Sequence, residues 1–127
     1  MIPACQYYGV GIIPWSPLEG GLLGGIIKKT GRGRRNSDEI IDKLKHYRNQ
    51  IERWERFCKN IGEDPANVAL AWLIHQAGIS STIIGPRTIQ QFKSSIRSME
   101  IKFDNESLEK LDIIFPPAGQ SPQYYAW

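Results

Sequence analysis

Val10-Gly11-Ile12-Ile13-Pro14-Trp15-Ser16-Pro17-Leu18-Glu19-Gly20-Gly21-Leu22-Leu23-Gly24-Gly25 is the stretch on which the fold turns. Its first six residues form a short apolar run bounded by glycine and proline, the pattern of a buried strand with Pro14 near its exit. Continuous apolar runs of this kind suit parallel sheets, whose strands are covered on both faces. The rest of the stretch carries four glycines, Gly20, Gly21, Gly24 and Gly25. They permit backbone conformations and close approaches that a Cβ would forbid. A strand that empties into such a loop predicts a surface built for contact.

Working outward, residues 28–37 are polar, basic and broken by glycine, which predicts an exposed loop. From Asn36, an expected N-cap with Glu39 three residues on, apolar positions recur at Ile40, Leu44, Tyr47, Ile51, Trp54, Cys58 and Ile61. That periodicity predicts a long amphipathic helix stopped at Gly62. Asp64-Pro65 opens a second helix through Val68, Leu70, Trp72 and Leu73, ending by Gly78. Trp54 and Trp72 are both expected in the core. Ser81 to Ile84 read as a second short strand, closed by Gly85-Pro86-Arg87. Thr88 with Gln91 forms a capping box for a helix bearing Phe92, Ile96 and Met99 on one face. Asn105 or Asp104 caps a last helix with Leu108, Leu111 and Ile114, broken by Pro116-Pro117. Residues 116–127 are a tail with an aromatic end.

The order strand, helices, strand is a crossover and implies a parallel pair. Two strands are too few for a stable sheet, which normally needs three or more. The segment therefore reads as part of a larger assembly of strands.

Composition narrows the class. The 127 residues hold 16 Lys+Arg against 13 Asp+Glu, a net charge of +3, with 41% hydrophobic residues. One soluble globular domain is expected. No apolar run approaches the roughly 20 residues of a membrane-spanning helix, and Ile2 to Gln6 lack the basic and apolar regions expected of a secretory signal, so a cytoplasmic location is expected. The two cysteines, Cys5 and Cys58, lack a C-x-x-C spacing or a nearby histidine. Neither a metal site nor a disulfide is expected. The Arg32-Gly33-Arg34-Arg35 run has no interleaved aromatics, which favours a solvated loop over a nucleic-acid contact.

Chemistry concentrates at the two strand exits, the edge that carries ligands in α/β architectures. Arg87 stands before a capped helix whose N-terminus favours an anion, so a phosphate is the natural ligand there. Trp15 leaves the first strand and offers a flat face for stacking. Each has a plainer alternative: a flexible glycine turn, a solvated arginine, a core tryptophan. His46 and His75 read as unremarkable surface or partly buried structure. No Ser-His-Asp, Cys-His or paired-carboxylate arrangement is present, so no catalytic residue is assigned.

The same stretches resemble the aldo-keto reductase family. Residues 10–23 resemble its seventh strand and following loop, and Asp64 to His75 the helix before its eighth strand. Ile83 to Ile96 resemble its cofactor-phosphate segment and Leu108 to Phe115 its closing helix. Ser121-Pro122-Gln123-Tyr124-Tyr125-Ala126-Trp127 is similar to the tail of a bacterial branch related to potassium-channel β subunits. The resemblance implies an α/β fold, the last two strands with their helices of a (β/α)8 TIM barrel, spread over residues 1–127 and incomplete as a barrel. It also implies NADPH as cofactor and a small carbonyl as substrate of the complete enzyme.

By this resemblance Trp15 stacks on the nicotinamide, while Ser16, Leu18, Gly20 and Leu22 wrap the pyrophosphate. Gly85, Pro86 and Arg87 match the turn at the 2′-phosphate, and Gln91 matches a further contact. Ser94 and Ser95 stand where the family usually has an acidic residue and an adenine-holding Asn, so Ser95 is expected at the cofactor with a shorter reach toward the adenine. The family's catalytic Asp, Tyr, Lys and His belong to earlier strands. Tyr7 and Tyr8 lie on the amino-terminal side of the first strand and do not replace them. The expected role is cofactor binding within an oxidoreductase, with exposed strands covered by self-association or by a missing N-terminal segment. The rival reading is a truncated module that oligomerises or binds a partner without enzymatic activity.

Overall fold

The computed structural model describes residues 1–27 and 37–117. The expected exposed loop of 28–37 therefore lies outside the described residues except for Ser37, as does the tail beyond Pro117.

Five helices form among the described residues: α1 (Ile2–Tyr7), α2 (Asp38–Asn60), α3 (Pro65–Ile74), α4 (Ile89–Ile96) and α5 (Asn105–Ile114). Side-chain caps start four of them, each accepting an N–H that the helix itself leaves unpaired. Ser37 caps Ile40, so the N-cap of α2 is one residue later than the expected Asn36. Asp64 caps Ala66 at 3.0 Å, Thr88 caps Gln91 at 3.1 Å and Asp104 caps Ser107 at 2.8 Å. α1 is an addition to the expected order. It is a short helix with Pro3 in its first turn, ended where Gly9 adopts φ +65° and the Val10 N–H returns to the Cys5 carbonyl at 2.8 Å.

The two expected strands, Val10 to Trp15 and Ser81 to Ile84, do not form as regular strands, and the described residues contain none. What forms is a single parallel bridge between Ile12 and Ile79. Ile12 N–H donates to the Gly78 carbonyl at 3.1 Å, and Ser80 N–H returns to the Ile12 carbonyl at 2.9 Å. The pairing thus starts earlier on the second segment than expected. A continued ladder would next need an N–H from Pro14, which proline lacks, and would bring Thr82 N–H to the Pro14 carbonyl. Ile83 N–H takes that carbonyl instead, at 3.0 Å. One extra residue is accommodated on the second segment, as in a bulge, and the Thr82 hydroxyl is left buried without a partner. Gly11 is required beside this pairing, because a Cβ there would collide with Ser80 Oγ.

The core lies among α2, α3 and α5, where Trp54, Phe57, Cys58, Val68, Ala69, Leu111 and Ile114 pack together with Leu18 and Leu23 from the glycine loop at their edge. Trp54 stacks on Phe57 with centroids 6.3 Å apart and meets Phe115 at 5.9 Å. Trp72 departs from its expected core position and is 39% exposed. It lines an apolar hollow of about 190 Å³ with Trp54, Leu111 and Phe115. Nothing among the described residues covers its outer side. The apolar face of α4 forms as expected, but Ile89, Phe92, Ile96 and Met99 all remain exposed. No helix among the described residues is long and apolar enough to cross a membrane.

Candidate functional site

The parallel pairing makes both segments exit in the same direction. Trp15 follows Pro14, and Gly85-Pro86-Arg87 follow Ile83-Ile84, so the hydrogen bond from Ile83 to Pro14 sets both exits side by side. The two groups of candidate residues, 70 positions apart in sequence, thus share one end of the pair.

Trp15 is 78% exposed, which settles the choice between core and free face in favour of the face. Ser16 turns the chain sharply at φ +53°, and its Oγ accepts the Gly20 N–H at 3.4 Å. Leu18 is half-buried and receives the N–H groups of Gly21 and Leu23 on its carbonyl, at 2.9 and 3.2 Å. Gly20 has φ +64°, and a Cβ there would lie 2.7 Å from Ile40 Cδ1 on α2. Only glycine fits both the backbone and the gap. Leu22 is buried with its N–H on the Glu19 carbonyl, so it anchors the loop and does not line its outer side.

The loop is held from below by α2, and sequence reasoning did not find these holds. Lys43 Nζ reaches Glu19 Oε1 at 2.6 Å while also pairing with Glu39 at 2.9 Å. The two carboxylates raise the Lys43 pKa well above the ordinary lysine range. Farther along the helix Trp54 Nε1 donates to the Leu23 carbonyl at 3.1 Å. One residue on, Glu55 Oε1 accepts the Ile27 N–H at 2.8 Å. Glu19 itself has φ +47°, a conformation that non-glycine residues adopt at a cost. A non-glycine residue beside a glycine run, facing a lysine on the next helix, was the available signal.

At the second exit Gly85, Pro86 and Arg87 are exposed. Gln91 bends back so that its Oε1 accepts the Arg87 N–H at 2.7 Å, while its own N–H is taken by Thr88. This reciprocal arrangement fixes the turn at the mouth of α4 and leaves the N–H groups of Ile89 and Gln90 without intrahelical acceptors. The Arg87 guanidinium is thereby carried at a positive helix end, a fit for a phosphate. Ser94 Oγ accepts from Asn67 Nδ2 at 3.3 Å, and Ser95 Oγ donates to the Gln91 carbonyl at 2.9 Å. Both serine hydroxyls are thus turned to the protein, the first bridging α3 to α4.

Tyr7 and Tyr8 are exposed and meet edge to face with centroids 4.9 Å apart. They belong to the α1 end of the pair, before Ile12, whereas Trp15 leaves from the other. His46 is exposed against Tyr47, and His75 Nδ1 sits 2.7 Å from the Ala71 carbonyl within its own helix. Cys58 is fully buried, and burial together with the charges of Asp64 and Glu55 pushes its thiol far above the usual range. Both cysteines are free, and no group of metal-ligating side chains occurs among the described residues.

The sequence profile described as the Aldo/keto reductase family matches residues 1–115. An uncharacterized oxidoreductase of Bacillus subtilis, YrpG, is 43% identical over all of this chain, which spans 39% of that relative's length. A putative aryl-alcohol dehydrogenase of Schizosaccharomyces pombe is 30% identical over 92% of this chain, which spans 34% of it. A putative voltage-gated potassium channel subunit beta of the same yeast is 29% identical over 90% of this chain, which spans 36% of it. The chain therefore spans a little over a third of the relatives it matches.

Proposed function

The chain belongs to the aldo/keto reductase family, and we propose on that footing that it is the C-terminal, NADPH-binding part of a barrel-type carbonyl or alcohol oxidoreductase. The observation that carries this reading is the parallel pairing through Ile83 and Pro14, which sets Trp15 and the Gly85-Pro86-Arg87 turn at one end. Family members typically use a nicotinamide nucleotide, and the residues present fit one: an exposed indole, a glycine loop with its backbone held open, and an arginine at a capped helix end.

When bound, that nucleotide supplies a hydride to a carbonyl carbon. Trp15 would offer its exposed face to the nicotinamide ring for stacking. The Ser16 to Leu22 loop brings backbone close to the pyrophosphate, with Gly20 holding the approach. Arg87 neutralises the 2′-phosphate that distinguishes NADPH from NADH. Gln91 positions Arg87 through its backbone. Ser95, spent on its own helix, contributes no reach toward an adenine. The donor of the proton to the substrate oxygen lies outside the residues assigned here, which makes the chain alone inactive in carbonyl reduction.

A chimera that joins this chain to the N-terminal part of the Bacillus subtilis relative tests the proposal. Saturable NADPH binding with tryptophan quenching is expected, together with aldehyde-dependent loss of nicotinamide absorbance. The isolated chain should give no turnover. A folded chimera that fails to bind NADPH would refute the reading.

One set of observations favours a second reading, a self-associating module. Val10, Ile13, Trp15 and Ile83 on the paired segments are exposed together with the α4 face. Light scattering on the purified chain distinguishes the two: a discrete oligomer that ignores NADPH supports the module.

A further inference from the structure

Glu19 is out of keeping with a loop that is to meet an anion. It stands between Leu18 and Gly20, and it is the only acidic residue within positions 1–27. A carboxylate at that place opposes a pyrophosphate, which carries two negative charges. Its backbone is fixed on both sides: the Glu19 N–H donates to the Ser16 carbonyl at 3.0 Å, and the Glu19 carbonyl accepts the Leu22 N–H at 3.1 Å. With φ at +47° between those bonds, the loop does not turn the side chain away by relaxing.

The carboxylate is instead met from α2. Lys43 Nζ lies 2.6 Å from Glu19 Oε1 and 2.9 Å from Glu39 Oε1. Glu39 precedes Lys43 by one turn of the same helix, so it holds the lysine in place on its own element. One lysine against two carboxylates leaves one negative charge. That charge falls to Glu39, in the first turn of α2, where the positive helix end compensates it. The side chains of Lys43 and Glu19 are 34% and 53% exposed, so the pair adds little to stability by itself. What it changes is the charge of the loop.

We propose that Lys43 is a positioning residue for nucleotide binding: it draws the Glu19 carboxylate onto α2 and neutralises it, so that the glycine loop meets the pyrophosphate with backbone and not with a negative charge. The proposal rests on the nucleotide reading above and assigns Lys43 no contact with the nucleotide itself.

The test uses the chimera with the Bacillus subtilis N-terminal part, into which NADPH and NADH are titrated calorimetrically. Lys43→Met should weaken both nucleotides by about fivefold at low salt, the scale of a half-exposed charge pair, and equally, because both carry the pyrophosphate. Lys43→Met/Glu19→Gln should recover the parent affinity, Glu19→Gln alone should bind at least as tightly as the parent, and Lys43→Arg should retain binding. In about 1 M salt, where the screening length is about 3 Å, the deficit of Lys43→Met should vanish. Circular dichroism verifies each fold, and Lys43→Gln replaces Lys43→Met should the latter unfold. A tie that only shapes the loop gives a different pattern: both single variants weaken binding alike, and the double variant is no better at any salt. That pattern overturns the proposal, as does a Lys43→Met chimera that binds like the parent or loses NADPH alone. In each of these cases the parent still binds, and the nucleotide reading stands. A folded parent that binds neither nucleotide refutes that reading and this inference with it.

Discussion

The N–H of Ile83 donates to the carbonyl of Pro14 at 3.0 Å, one residue out of step with the ladder that Ile12 and Ser80 begin. That slip turns the second segment so that its exit turn lies beside Trp15. The proposed nucleotide site depends on it.

Trp15→Ala should remove most of the tryptophan quenching by NADPH in the chimera and weaken binding by roughly 1–3 kcal/mol, the usual worth of aromatic stacking. Fluorescence titration reads both effects. A variant that quenches and binds like the parent would leave Trp15 without this role.

Arg87→Ala should weaken NADPH by roughly 1.5–3 kcal/mol, as for a lost hydrogen bond to a charged group, and leave NADH nearly unchanged. Equal losses for both nucleotides in calorimetry would mean that the side chain supports the turn and not the phosphate.

Gly20→Ala should destabilise the isolated chain by about 1–2 kcal/mol from backbone strain alone, since φ is +64°. The clash with Ile40 Cδ1 adds to this. Ile40→Val in the same chain removes that methyl and should recover the clash portion only, so urea denaturation of the double variant separates the two contributions.

Asp104 should matter at acid pH. The Ser107 hydroxyl and N–H hold its carboxyl below the ordinary 3.8. A folded-state pKa below the unfolded one contributes stability that is present above the unfolded value and lost as pH falls through the folded one. Asp104→Asn should therefore flatten the decline in stability below about pH 4. Parallel acid limbs for parent and variant would count against the cap.

The helices were legible because their starts are written in local chemistry: Asp64 before Pro65, Thr88 three residues before Gln91 and Asp104 before Asn105 each signal a cap within one turn. The strands were legible as apolar runs, but not as a ladder. Register depends on which carbonyl meets which N–H across the pair, and Pro14 withholds one of them. Trp72 shows the same limit from the packing side. Its helical face marks it for burial, but burial needs a covering element, and none stands over it among the described residues. Trp15 and Arg87 were found because they sit at strand ends. Lys43, Trp54 and Glu55 were not, since nothing in an amphipathic helix marks which side chains reach back to a loop 24 to 31 residues earlier.

Those three holds have a consequence for how the molecule opens. The glycine loop gains its shape only once α2 is in place, and the same tryptophan that closes the core grips the loop's backbone. Loop and helix should therefore open together as one cooperative unit, not as a loosely tethered flap over a rigid body. Amide exchange at Leu23 and Ile27 would then follow the slow breathing of α2, and the part of the surface best suited to a ligand would share the lifetime of the helix that carries Trp54 into the core.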